Sequence, residues 1–272
     1  MESFEGRVAA ITGAGSGIGR QLAVQLATAG AHLALSDIDE AGLAGTVALC
    51  EGSGVKVTSQ RLDVAQRLAV EAWADAVVAE HGKANLIVNN AGVGLAAPIE
   101  AMSYDDFEWL FNINFWGVVY GTKAFLPHLR AAGEGHVVNV SSVFGLLSIP
   151  TQSAYNAAKF AVRGFTDSLR MELEIDGGAV SATTVHPGGI KTNIARSARI
   201  DASLEGTGAD AANFDRVAFT KPEKAARVIL QAVKADKRRV LVGPDAKLLD
   251  LVSRLPAGLT QRVMIAGGKR RR

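Results

Sequence analysis

The sequence predicts one α/β domain over residues 1–272: a seven-stranded, doubly wound parallel sheet with helices on both faces. Short apolar runs alternate with longer helix-period segments, the pattern of βαβ units whose strands are buried on both faces. The alternation runs from residue 7 to 243 with no linker and no break in composition. With 48% apolar residues, a chain of this length can bury a large core.

The first strand is RVAAIT (7–12), and a helix follows over 17–30. AHLALS (31–36) and VKVTSQRL (55–62) are the next strands, separated by a helix within 39–51. A helix over 66–81 leads into NLIVNN (85–90), and residues 103–131 are helical with a bend near Gly117 and Gly121. The strand GHVVNVSS (135–142), a helix over 153–175 and the strand AVSATTVHP (179–187) come next. A helix over 222–235 and the strand RRVLVG (238–243) complete the series. Gly30, Gly82 and Gly133 stand where helix C-termini take a left-handed residue. No repeat of solenoid length is present.

Charge and cysteine content narrow the function. The net charge of +2 depends on the terminal Lys269 and Arg270 to Arg272; the rest of the chain carries 2 − 4 = −2. A basic nucleic-acid-binding face is therefore not expected. The tail reads as a solvated end, and membrane contact through it is not expected. The single cysteine, Cys50, has no internal disulfide partner and reads as a small packed hydrophobe. No apolar run approaches the roughly 18 residues of a membrane span. The acidic start MESFEG is unlike a signal peptide, so a cytoplasmic location is expected.

In sheets of this kind ligands bind beyond the carboxyl ends of the strands. The loop after the first strand is TGAGSGIGR, with Gly13, Gly15, Gly17 and Gly19 spaced G-x-x-x-G-x-G across Ser16 and Ile18. Backbone without Cβ can approach a pyrophosphate whose charge rests on the next helix N-terminus. No Lys-Ser/Thr follows the last glycine, which excludes a P-loop. Asp37 ends the second strand, 18 residues after Gly19, where a carboxylate would accept ribose hydroxyls and repel a 2′-phosphate. NAD is therefore favoured over NADP. Asp37 is also a candidate N-cap for the helix within 39–51, a role Asp39 could fill instead. Asp63 and Val64 end the third strand, where an adenine edge could be held.

These residues closely resemble the short-chain dehydrogenase/reductase family. TGAGSGIG is similar to its TGxxxGxG motif, NNAG (89–92) to its NNAG motif and NFWG (114–117) to its N-x-x-G. YNAAK (155–159) matches Y-x-x-x-K, with Ser142 lying 13 residues before Tyr155, and HPGGIKT (186–192) resembles P-G-x-x-x-T. The match runs in order from residue 7 to 192. The resemblance implies a Rossmann fold, a dimer or tetramer (a homotetramer being the family's common form) and a catalytic tetrad of Asn114, Ser142, Tyr155 and Lys159. It implies that Asn90, Ala91 and Gly92 line the nucleotide cleft and that Pro187 and Gly188 shape a turn facing the nicotinamide. Ile190 and Thr192 would meet the carboxamide. No metal site is expected.

The chemistry of each tetrad residue agrees. A phenol with a pKa near 10 is a poor base at neutral pH, and an ammonium one helical turn away is expected to lower it by roughly 1–3 units. Ser142, at a strand's carboxyl end, would donate to an oxygen gaining charge. Asn114 is set in a helical run where asparagine is unfavoured without a task, and the resemblance implies that it keeps a water between Lys159 and bulk. His186 reads as structural, and Arg163 with Arg170 as a solvated or oligomer-facing stripe.

Apolar residues over 143–150 and 92–99 suggest a hydrophobic substrate pocket, and the long stretch 193–220 reads as a lid carrying Ile194, Ile200, Leu204, Phe214 and Phe219. Arg196 and Arg199 are its candidate anion contacts. The extension 244–272 presents Leu248, Leu251, Val252, Leu255 and Leu259 on one helical stripe interrupted at Pro256. The expected function is NAD-dependent hydride transfer between the nicotinamide and a hydrophobic secondary alcohol or ketone. The rival readings are an NADP-dependent ketoreductase of the 3-ketoacyl type and a sensor that binds NAD(H) without turnover.

Overall fold

Val8–Thr12 (β1) is buried along its whole length because it lies in the middle of the sheet. On one side it pairs with His32–Asp37 (β2), which pairs with Val57–Arg61 (β3). On the other side it pairs with Leu86–Asn89 (β4), and the sheet continues through Gly135–Val140 (β6), Val180–Pro187 (β7) and Arg239–Val242 (β9). Every pairing is parallel, in the order β3-β2-β1-β4-β6-β7-β9. The chain first builds outward from β1 and then returns to its other side at β4, so the crevice above the strand ends opens between them. The protein is described from a computed structural model covering residues 1–194, 197–204 and 219–269, with side chains through 266.

Helices cover both faces, as the buried strands require. Gly17–Thr28 (α1), Glu40–Cys50 (α2) and Pro222–Lys234 (α7) bury Leu22, Leu26, Leu43, Ile229 and Val233 against one face. Arg67–His81 (α3), Gly117–Ala131 (α5) and Ser153–Ile175 (α6) bury Trp73, Phe125, Leu129 and Leu173 against the other. Gly30, Gly82 and Gly133 have φ of 80°, 77° and 72°, the left-handed conformation expected of them. Cys50 is packed in the core, where burial pushes its thiol pKa up.

The bend expected near Gly117 lies just before it: Tyr104–Phe111 (α4) passes through a π-helical turn, Asn112–Trp116, into α5. A two-residue ladder between Leu95–Ala96 (β5) and Arg199–Ile200 (β8) is too short to leave a periodic trace in the sequence. The C-terminal segment breaks at Pro256 as expected, into Pro244–Ser253 (α8) and Ala257–Lys269 (α9). Leu248, Leu251, Leu255 and Leu259 of its apolar stripe are exposed on this chain. Among the described residues no helix is long and apolar enough to cross a membrane.

Arg163 and Arg170 do not form one solvated stripe. Arg163 stays near the surface, 3.5 Å from Asp167, but Arg170 is buried. The C-terminal part of α6 packs on β7, so Arg170 turns inward over the start of that strand, toward Ser181 and Ala182. It holds both oxygens of Asp236 at 2.8 and 2.9 Å, and Glu174 at 2.5 Å.

Candidate active site

The crevice between β1 and β4 extends into a cleft of about 560 Å³. Asn90 stitches its floor, donating from its backbone N–H to Thr12 Oγ1 (3.0 Å) and from Nδ2 to the Thr12 and Gly13 carbonyls (3.0 and 3.1 Å). Gly13, Ser16, Gly17 and Ile18 line one end, with Asn90, Ala91 and Gly92 behind them. Gly15 and Gly19 do not line it; they let the loop close. A Cβ on Gly19 would overlap the Gly13 carbonyl, which belongs to backbone and cannot swing aside. The N-terminus of α1 faces this loop with no acid in its first turn, and Ser16 makes no cap hydrogen bond there. Exposed helix N–H groups with no competing carboxylate suit an anion.

Asp37 stands at the same end. Its Oδ2 accepts the Gly15 N–H (2.7 Å) and its Oδ1 the Asp39 N–H (2.9 Å), which fixes the carboxylate at the rim. Asp39, not Asp37, caps α2, accepting the Gly42 N–H at 3.0 Å. Asp63 and Val64 line the cleft as expected, with Asp63 also accepting the Ala65 N–H (3.0 Å). Arg20 lies close by, but its guanidinium is spent on the Gly15 and Gly42 carbonyls and on Thr46. The described lining holds Asp37, Asp39 and Asp63 against one cation, Lys159.

Side chains from distant parts of the chain form the other end. Ser142 follows β6, while Tyr155 and Lys159 lie on the first turns of α6, and all three line the cleft. The Ser142 hydroxyl accepts the Phe144 N–H at 3.1 Å and lies close enough to the Tyr155 phenol to lower its pKa. Lys159 is buried, with Nζ donating to the Val140 carbonyl (3.0 Å) and lying 5.7 Å from the Tyr155 ring centre. Ser141 Oγ ties down the Lys159 carbonyl at 2.7 Å, locking α6 to the end of β6.

The expected acidification of Tyr155 by Lys159 is absent. Burial pushes the phenol pKa up, the Ser142 hydroxyl pulls it down, and the net shift is upward. Burial also brings Lys159 down to about 8. Burial is the first cause of both shifts, since charging either side chain in this poorly solvated space is costly.

Asn114 does not line the cleft. It sits fully buried in the π turn, accepting the Val93 N–H and donating to the Val93 carbonyl, both at 2.8 Å. Only Gly92 separates it from Lys159: a Cβ there would lie 3.0 Å from Asn114 Oδ1 and 3.6 Å from Lys159 Nζ. His186 is buried below the cleft, and its Nδ1 donates to the Ser142 carbonyl at 2.8 Å. Burial lowers its pKa to about 4, so it is neutral and supports the Ser142 backbone.

Pro187, Gly188, Ile190 and Thr192 line the cleft beside Tyr155, and Thr192 Cγ2 lies 3.0 Å from where a Gly17 Cβ would be. The substrate-side apolar wall is Val93, Leu95, Ala96, Ile194 and Ile200. The segment 143–150 contributes no described residue to it. A 3₁₀ turn at Val143–Gly145 folds the segment onto α6 and buries Val143, Leu146 and Leu147. Arg199 is not a free anion contact: it pairs with Asp106 (2.6 Å) and stacks on Trp109 at 3.7 Å. Arg196 and Phe214 lie outside the described residues. Sequence reasoning missed the Val140 carbonyl, which leaves no trace in residue type, and Gln152, which lines the cleft three residues before Tyr155.

A parallel sheet with a glycine loop at its switch point and a buried Ser-Tyr-Lys group beside it defines a nucleotide-dependent enzyme of the dehydrogenase type. The short chain dehydrogenase family model matches residues 7–203. A Mycobacterium tuberculosis (strain ATCC 25618 / H37Rv) protein designated oxidoreductase SadH is 52% identical over 268 residues, covering 98% of this chain and 97% of its own length. The C alpha-dehydrogenase of Sphingobium sp. (strain NBRC 103272 / SYK-6) is 33% identical over 295 residues, covering 100% of this chain and 96% of its own. A solved short chain dehydrogenase/reductase from Burkholderia phymatum, in complex with NAD, has a TM-score of 0.84 at 34% identity, covering 93% of this chain and 94% of that one. The chain belongs to the short-chain dehydrogenase/reductase family and is an oxidoreductase.

Proposed function

We propose that the protein is an NAD-dependent oxidoreductase that moves hydride between the nicotinamide and a hydrophobic secondary alcohol or ketone. The observation that carries this reading is one cleft with a glycine loop and Asp37 at one end and Ser142, Tyr155 and Lys159 at the other. The residues fit a dinucleotide: the Gly13–Gly19 loop and the α1 N-terminus suit a pyrophosphate, and the carboxylate at the rim suits ribose hydroxyls. Pro187, Gly188, Ile190 and Thr192 would hold the nicotinamide end. When bound, the cofactor supplies or accepts the hydride.

Tyr155 is the general acid/base. Its raised pKa keeps the phenol protonated at neutral pH, ready to donate to a carbonyl oxygen as that oxygen gains charge. Ser142 donates to the same oxygen. Lys159, at about 8, changes protonation near working pH; Asn114 would keep the water-holding role that the family resemblance gives it, facing Lys159 across Gly92. The apolar wall favours a hydrophobic substrate; the greater part of the lid expected over 193–220 lies outside the described residues. A second copy of the chain covers Trp116 and Phe160, exposed aromatic residues on the long helices.

Three carboxylates at the adenosine end and no free cation among the described lining disfavour a 2′-phosphate, and with it the NADP-dependent reading. Calorimetry of NADH and NADPH on wild type and Asp37→Ala tests this. Tight NADH with weak NADPH, and a preference that relaxes at least about tenfold in the variant, is expected; each factor of ten is about 1.4 kcal/mol. A wild-type preference for NADPH would overturn the cofactor assignment.

A further inference from the structure

Asp245, at the start of α8, lies outside the matched residues 7–203 and outside every motif read from the sequence. Its Oδ2 accepts the backbone N–H of Gly189 at 2.6 Å, inside the Pro187–Ile190 loop that lines the cleft beside Tyr155. The carboxylate occupies a space made for it. A Cβ on Gly188 would overlap the carboxylate, and its three nearest atoms would all belong to Asp245. A Cβ on Gly243 would come within 2.5 Å of Oδ1. Asp245 forms no ion pair with a described residue, and Oδ1 is buried without a hydrogen-bond partner among them. A half-met carboxylate pressed against two glycines is an expensive arrangement for a helix start alone, since an exposed aspartate there would serve as well.

The same loop is held from two further directions. The Gly188 N–H donates to the Val242 carbonyl at 2.9 Å. Thr220 donates its N–H to the Gly189 carbonyl (3.2 Å), and its carbonyl accepts the Lys191 N–H (3.0 Å). These contacts use backbone alone, so Asp245 is the side chain that sets the height of the loop over the cleft.

We propose that Asp245 is a positioning residue for the nicotinamide end of the cofactor: by holding Gly189 against Gly188, it places the Pro187–Ile190 loop and makes the C-terminal extension part of the active site. This rests on the reading of the cleft as a nicotinamide dinucleotide site. The adenosine end is built from other residues, so Asp245 acts on one half of the ligand.

The test is calorimetric binding of NADH and of ADP-ribose, which lacks the nicotinamide, to wild type, Asp245→Ala, Asp245→Asn, Gly188→Ala and the double variant Asp245→Ala/Gly188→Ala. Asp245→Ala is expected to lose about tenfold or more in NADH affinity, as for a lost hydrogen bond to a charged group, with ADP-ribose within about twofold of wild type. Asp245→Asn keeps an acceptor for Gly189 and is expected to retain most of the affinity. Gly188→Ala should weaken NADH binding in the wild-type background and cost far less once Asp245 is gone, because the clash partner has been removed. Equal losses for both ligands, no loss for either, or additive effects in the double variant would overturn the proposal. If Asp245→Ala does not fold, Gly188→Ala and Asp245→Asn decide the matter by the same two-ligand comparison. Wild type binding neither ligand would sink the dinucleotide reading itself, whereas wild type binding both with flat variants would sink only the role of Asp245.

Discussion

The two ends of the cleft are made of different materials. The glycine-loop end is mostly backbone: a glycine loop and a helix N-terminus, joined by the carboxylates of Asp37, Asp39 and Asp63, drawn mostly from residues within a few dozen positions of each other. The chemistry end is buried side chains gathered from Ser142, Tyr155, Lys159, the Pro187–Ile190 loop and Asp245. Shape at the first end is protected by what is missing, a Cβ. Shape at the second is protected by a network in which most polar atoms have one partner. The first end should therefore fail by steric insult and the second by loss of a proton site or a tether.

That contrast is most sharply exposed by Tyr155→Phe. Turnover is expected to fall by about 10²–10⁴, the usual worth of a positioned acid/base, while NADH affinity by fluorescence titration stays within a few-fold. Parallel losses of binding and turnover would show that the ends are not separable. Gly19→Ala is the converse insult. The added methyl meets the Gly13 carbonyl, and affinity for both NADH and ADP-ribose is expected to drop by roughly a hundredfold, about 2.7 kcal/mol. Wild-type affinity in that variant would mean the loop is softer than its geometry implies.

Acid sharpens the comparison from the stability side. His136 and His186 are buried, with pKa values brought down to about 4 by burial. The unfolded chain protonates them from about 6.5 downward. Between those values the unfolded state binds more protons than the folded one, so stability falls as pH drops. The slope approaches about 1.4 kcal/mol per pH unit for each histidine. Urea unfolding at about pH 7 and about pH 5 reads this directly; unchanged midpoints would mean that the buried polar side chains tolerate charge. The smallest expected effect is at the latch between β8 and α4. Arg199→Ala removes a partly exposed ion pair and a stacking contact on Trp109, together about 1 kcal/mol. A rise in KM of a few-fold with kcat nearly unchanged is expected in steady-state kinetics. A collapse of kcat would place Arg199 in the chemistry.

The same division explains what the sequence disclosed. All seven strands of the main sheet and the glycine loop were legible because apolar runs and glycine spacing are local signals. Ser142, Tyr155 and Lys159 were legible through family motifs and Asp37 through its place at the end of the second strand, and the structure brings them into one cleft. The direction of the Tyr155 shift was not, because spacing gives proximity while burial raises the phenol pKa. Arg170 and Arg199 were misread for a related reason: helical and loop positions do not reveal that Asp236 or Trp109 waits nearby. Within segment 143–150, Val143, Leu146 and Leu147 are core, while Phe144 meets the Tyr155 ring edge-on.

The strand order also bears on how the chain is made. Both ends of the cleft's visible machinery, from Gly13 to Lys159, are synthesised before the last paired strand and Asp245. The 245 − 159 = 86 residues between Lys159 and Asp245 take about 4–17 s to translate at about 5–20 residues per second. During that interval a nascent chain holds its glycine loop and its tyrosine, yet its sheet lacks an edge and its Pro187–Ile190 loop lacks its tether. A chain cut short before residue 245 would carry every family motif from Gly13 to Thr192 and still lack the Asp245 hydrogen bond to Gly189.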